Sequence, residues 1–155
     1  VIDDATETEW QLDAFVVATR PALERALVAR FGLVDGMDAA ADAVEYACAH
    51  VDQLAEMDNP AGYLYRVGVS CALRDLRRRH HTLLVAEPVT TDKLVDVDLQ
   101  RALLRLNPDH RVAILLVHAH GYSYADAAAL IDVPVTTIHN YLSRGVARLR
   151  RLMEA

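Results

Sequence analysis

The stretch VPVTTIHNYLSRGVARLRR, Val133 to Arg151, combines four arginines with two threonines, a histidine and an asparagine. On a wheel of 100° per residue, Thr136, His139, Asn140, Ser143, Arg144, Arg150 and Arg151 fall on one side. Ile138, Leu142, Gly145, Val146, Leu149 and Leu152 fall on the other. The first set supplies donors, acceptors and a methyl group, which match base edges when they lie in the first turns of a helix in a major groove. The later arginines suit phosphate oxygens. The competing account is a surface helix with a polar face. A second group occurs in NPAGYLYRVGVSCALRDLRRRHH. There Tyr63, Arg66, Ser70, Arg74 and Arg77 share a face opposite Leu64, Val67, Gly68, Cys71 and Ala72. An aromatic among guanidinium groups suits a strand whose bases stack or are splayed out. The same arginines could instead pair with Asp38, Asp42, Glu45, Asp52 and Glu56 of the preceding helix.

These groups need elements to hold them. Ser123, with Asp126 three residues on, forms a capping-box pattern ahead of an alanine-rich run. Asp132-Val133-Pro134 ends that short helix, and the basic helix begins at once, which describes a helix-turn-helix. Asn59-Pro60 and Asn107-Pro108 each place a good N-cap before a proline at the first helical position. Gly32, Gly36 and Gly121 look like helix stops or turns. Helices are expected near 8–20, 21–31, 38–57, 60–80, 98–106, 108–119, 124–131 and 135–153, with Pro21 either splitting or kinking the first two. Residues 81–97 lack a sustained helical period and read as a linker. The fold expected is all-α: two small helical domains, 8–80 and 98–155, joined by a flexible acidic linker.

The chain of 155 residues carries a net charge of −6, unevenly spread. Residues 1–60 hold 13 acids and 3 bases, residues 61–86 five arginines and one acid, and residues 99–155 seven arginines and four acids. Blocks of opposite sign suggest different partner surfaces. No apolar run is long enough to span a bilayer and no signal peptide is seen, so a cytoplasmic protein without membrane insertion is expected. Cys48 and Cys71 are expected as buried free thiols. His80-His81 and the pair His118, His120 lack the spacing of a metal site, and no catalytic constellation or phosphate loop is present. No enzyme activity, metal or cofactor is expected.

Three segments carry a resemblance: DAAADAVEYACAHVDQL, NPAGYLYRVGVSCALRDLRRRH and LLRLNPDHRVAILLVHAHGYSYADAAALIDVPVTTIHNYLSRGVARLRRL. In order and spacing, over about residues 10–153, they resemble bacterial RNA polymerase sigma factors of the extracytoplasmic-function (ECF) type. The resemblance implies a sigma region 2-like domain that binds core RNA polymerase and the minus-ten element, and a region 4-like helix-turn-helix that binds the minus-thirty-five element. It places Asp38, Asp42 and Glu45 toward the beta-prime clamp helices. It places Arg66, Ser70, Arg74, Arg77 and Arg78 toward promoter DNA, on the helix that also carries Tyr63. It gives Thr136, Thr137, His139, Asn140, Tyr141 and Arg144 the recognition positions of a domain seated on the beta flap. In the linker, Glu87, Asp92, Asp96 and Asp98 could imitate a nucleic-acid backbone in a basic channel. The chain departs from the family where an Arg-Asn pair is usual, having Val69-Ser70, and at His139 and Tyr141, where basic residues are usual.

The function implied is a sigma factor that directs promoter-specific initiation and is itself controlled by an anti-sigma factor. Two alternatives stay open. One is a sigma-like decoy that captures an anti-sigma factor, and the other is a LuxR-type regulator, whose recognition helix VTTIHNYLSRGVARL also resembles.

Overall fold

The computed structural model describes residues 4–80 and 96–155, with side chains described from Gln11 to Arg79 and from Asp96 onward. The linker positions Glu87 and Asp92 lie outside the described residues, as does the side chain of Trp10. Among the described residues there are eight α-helices: α1 (Asp4–Phe31), α2 (Leu33–Ala49), α3 (Val51–Ala55), α4 (Pro60–His80), α5 (Val97–Leu104), α6 (Pro108–Ile114), α7 (Tyr124–Leu130) and α8 (Val135–Glu154). A π-turn over Leu115–Ala119 extends α6. The all-α expectation holds.

The helix α1 runs unbroken through Pro21. Proline removes the bond to the carbonyl four residues back, that of Val17. Both residues are exposed, so water can serve that oxygen. At Gly32 the backbone takes φ +88°, a left-handed value that favours glycine, and α2 starts one residue later. Gly36 is not a stop. It is buried inside α2, where a Cβ would sit 2.5 Å from the Val28 nitrogen and 2.7 Å from the Leu27 carbonyl carbon. Two helix backbones meet there.

Leu23, Ala26 and Leu27 of α1 pack on Ala39, Ala40, Ala43 and Ala47 of α2 and on Leu64 and Ala72 of α4. The alanine stripe at i, i+3/i+4 lets the helices approach closely. Cys48 is one step off that stripe and exposed, which corrects the expectation of two buried thiols; Cys71 is half-buried, and burial raises its thiol pKa. In the C-terminal half, Val112, Ala113, Ile114, Leu116, Ala127, Ala128, Ile138 and Leu142 form the core. The buried residues of both halves join in one connected cluster.

The caps foreseen at Asn59, Asn107 and Ser123 are made. Their side-chain oxygens accept from the backbone nitrogens of Gly62 (3.1 Å), Asp109 (2.9 Å) and Asp126 (3.0 Å). Asp96 does the same for α5, accepting from Asp98 (3.0 Å) and Leu99 (3.4 Å). Asp96 and Asp98, read as linker acids, therefore belong to the start of a helix.

Candidate nucleic-acid interface

The turn from α7 to α8 comprises Ile131 to Pro134. It closes with Val133 donating to the Ala128 carbonyl (3.0 Å) and Asp132 to the Ala129 carbonyl (3.3 Å). Asp132 sits at φ +57°, where helix ends usually place glycine. Pro134 precedes α8 and gives it no side-chain cap, while its carbonyl accepts from Thr137 (2.9 Å) and Ile138 (3.3 Å) at the positive end of the helix.

Ile138 (0% exposed), Leu142 and Gly145 anchor α8, and Val146, Leu149 and Leu152 pack at the margin. That orientation turns Thr136, His139, Asn140, Ser143 and Arg144 to solvent, with Thr137 half-buried. The His139 ring meets the edge of Tyr124, the first residue of α7, with centroids 4.6 Å apart. Tyr141 points elsewhere. It is half-buried against His110, centroids 5.4 Å apart, and burial with the charge of Asp109 raises its phenol pKa. Its ring packs within the C-terminal half, in electrostatic reach of Arg30 at the end of α1.

On α4, Ser70, Arg74 and Arg77 are exposed. Tyr63 is half-buried, its hydroxyl 3.1 Å from that of Tyr46. Tyr46 also stacks on His50, centroids 3.9 Å apart. Arg79, outside the face read in the sequence, has its guanidinium 2.6 Å from Asp35 of α2, an acid outside the set named as possible partners. Arg78 lies 4.0 Å from Asp75 of its own helix. Arg66 pairs at 3.1 Å with Asp132 of the α7–α8 turn.

Asp38 and Glu45 are exposed on α2, beside the exposed apolar side chains of Leu33, Val34 and Met37. Asp42 is half-buried, and its pKa is raised by partial burial and then by Asp75 and Glu45. A raised carboxyl pKa means the folded chain holds that proton more tightly than the unfolded one. Stability from this group therefore falls as pH rises through the window just above the ordinary carboxylate range. Asp42→Asn should stabilise the free chain at neutral pH by about 0.5 kcal/mol or less and flatten that fall. Urea melts on either side of the window check this; a loss of stability at neutral pH would refute it.

Sequence reasoning missed the groups that join the halves. Arg111 on α6 donates from Nε to the Ala29 carbonyl (2.8 Å) and from Nη2 to the Arg30 carbonyl (2.6 Å), at the C-terminal end of α1. Arg30 pairs with Asp109, and Tyr65, buried, lies beside both; burial raises the tyrosine pKa. Burial lowers the pKa of Arg111, as does the nearby charge of Arg30. No spacing rule points to these residues, because their partners lie about 80 positions away. Among the described residues no helix is long and apolar enough to cross a membrane.

Residues 96–149 match the family model of sigma-70 region 4. Over 100 residues the chain is 35% identical to the ECF RNA polymerase sigma factor SigM of Mycobacterium tuberculosis, covering 60% of this chain and 51% of SigM. Over 149 residues it is 27% identical to the ECF RNA polymerase sigma factor EcfG of Rhodopseudomonas palustris, covering 89% of this chain and 82% of EcfG. The chain is similar to ECF RNA polymerase sigma factors, and residues 96–149 are a sigma-70 region 4 match. The solved structure of the sigma factor RpoE from Bartonella quintana, in complex with the anti-sigma factor NepR, has the same fold: TM-score 0.65 at 24% identity, covering 94% of this chain and 98% of RpoE. CnrH, in complex with the cytosolic domain of CnrY, gives a TM-score of 0.59 at 23% identity, covering 94% of this chain and 89% of CnrH.

The helices α5 to α8 therefore form the region 4 helix-turn-helix, and α1 to α4 are region 2-like in fold. The match with SigM spans about half the length of that relative.

Proposed function

We propose that this chain binds core RNA polymerase through the acidic face of α2 and directs promoter-specific initiation through α4 and α8. The observation that carries the reading is the outward display of Thr136, His139, Asn140, Ser143 and Arg144 along α8, inside the segment that matches sigma-70 region 4. Asp38, Asp42 and Glu45 would meet the clamp helices, and region 4 the beta flap. Tyr63, Ser70, Arg74, Arg77 and Arg78 would follow the opened strand, and Arg66 would join them. With 13 acids in its first 60 residues, the free chain repels phosphates, so DNA contact waits for the polymerase to hold it. Thr137 borders the recognition face, and Tyr141 would act mainly by bracing α8.

The test combines the chain with sigma-free core polymerase on genomic promoter fragments. Specific transcripts are expected; their absence, with no binding to core, would sink the reading. Arg144→Ala in the holoenzyme should weaken promoter binding several-fold and reduce the slope of log K against log salt by about one. An unchanged slope would remove Arg144 from the phosphate contacts.

A second reading adds to the first: an anti-sigma factor binds this chain in the cytoplasm, supported by the fold it shares with RpoE of Bartonella quintana, which was solved in complex with the anti-sigma factor NepR. Capture of an anti-sigma factor without any transcript from core would favour a decoy role instead.

A further inference from the structure

We infer that Tyr124, the first residue of α7, is a positioning residue: its ring holds the His139 imidazole in one orientation, and His139, so held, selects one base pair of the duplex that α8 enters. The inference rests on the proposed reading of α8 as a helix that reads promoter DNA.

Tyr124 stands apart from the other tyrosines. The chain has six. Tyr65 is buried in the core, and Tyr46, Tyr63, Tyr122 and Tyr141 pack against it. Tyr124 is the exposed one, at 37%. Its ring lies against His139, with centroids 4.6 Å apart and planes at 74°. That separation is short for an aromatic pair, and edge-to-face is a geometry that ring quadrupoles favour.

The backbone beneath the ring is fixed. Ser123 caps α7 through the Asp126 amide at 3.0 Å, and Ala127, Ala128 and Leu130 bury the other side of that helix. Val133 closes the turn onto the Ala128 carbonyl at 3.0 Å. Next to His139, fully buried Ile138 sets the rotation of α8. Two anchored helices therefore bring a tyrosine ring to one member of the outward polar set.

Contact with a base edge depends on direction. A neutral imidazole carries one donor and one acceptor nitrogen on different sides of its ring. A ring free to turn about its side-chain torsions can offer either nitrogen to several bases. A ring pinned by a neighbour presents the same edge each time, so it distinguishes one donor and acceptor pattern in the groove from the others. Pinning also removes part of the ordering cost that an exposed side chain meets on binding. The hydroxyl of Tyr124 has no part in this, so phenylalanine should serve as well.

In the free chain, nuclear magnetic resonance reads the pair. The ring protons of His139 should shift in Tyr124→Ala and stay near their wild-type positions in Tyr124→Phe. Promoter fragments carrying a randomised upstream segment are then offered to the wild type and to Tyr124→Phe, Tyr124→Ala and His139→Ala, each with and without core polymerase. Tyr124→Phe should select the wild-type motif. His139→Ala should lose preference at one base pair by about fivefold or more, and Tyr124→Ala should lose most of it at that same pair, with other positions unchanged. A uniform loss across the motif, as a merely structural role would give, overturns the inference. So does an unchanged motif, or an unmoved His139 resonance in Tyr124→Ala. A phenylalanine variant that behaves like the alanine one places the effect in the hydroxyl and overturns the role of the ring. Transcripts from core are scored in parallel and decide the sigma reading by themselves. A motif selected without core, and no transcripts, sinks that reading while the same comparison still decides the pair. No motif in either setting overturns the pair.

Discussion

Replacing Arg111 by alanine is expected to destabilise the chain by about 2–3 kcal/mol, a fall in Tm of roughly 5–10 °C for a protein of this size. The guanidinium donates to the carbonyls of Ala29 and Arg30, and more weakly to those of Leu103 (3.4 Å) and Leu104 (3.5 Å). At the end of α5 Leu103 also accepts from the Leu106 nitrogen (3.1 Å), whereas the Ala29 and Arg30 oxygens end α1, where no further turn of helix supplies an amide. With the arginine gone, water must reach a half-buried site or the oxygens go without a donor. Arg111→Lys should recover only part of the loss, because a point charge cannot span two helix ends with a planar fork. Chemical denaturation of the three proteins checks this. A lysine variant as stable as the wild type would show that charge, rather than the fork, holds the end of α1. Because Arg30 and Asp109 form their own pair alongside, losses at Arg111 and Arg30 should not add.

Gly36→Ala should cost about 2 kcal/mol or more, although alanine is the better helix former by about 1 kcal/mol. The added methyl would lie 2.5 Å from the Val28 nitrogen. Backbone cannot rotate aside as a side-chain tip can, so α1 and α2 must separate, and the Leu23–Ala43 layer of the core opens with them. A peptide of residues 33–49 should gain helicity from the same change. Opposite signs in the peptide and the whole chain would place the cost in the α1–α2 contact. A stabilised whole chain would mean that the contact yields freely.

Much of the candidate interface was legible in the sequence, for a physical reason. The polar and apolar sides of α8 repeat at 3.6 residues, and Ile138, Leu142 and Gly145 had only one way to be buried. Thr136, His139, Asn140, Ser143 and Arg144 then had to face outward. The caps at Asn59, Asn107 and Ser123 are local chemistry, decided within three residues. The same kind of reasoning misplaced Gly36, since a glycine that ends a helix and one that admits a neighbouring helix look alike in one dimension. It also assigned Asp96 to the linker, where it is a cap.

By itself, then, the sequence determined the helices, their buried stripes and the outward polar set of α8, because each depends on residues a few positions apart. The meeting of the halves was decided only in three dimensions. Whether Arg66 finds DNA or Asp132, whether Tyr141 faces a groove or His110, and where Arg111 finds its acceptors are questions of which surfaces come together. Those partners lie 31 to about 80 positions apart, and a periodic pattern carries no record of such a distance.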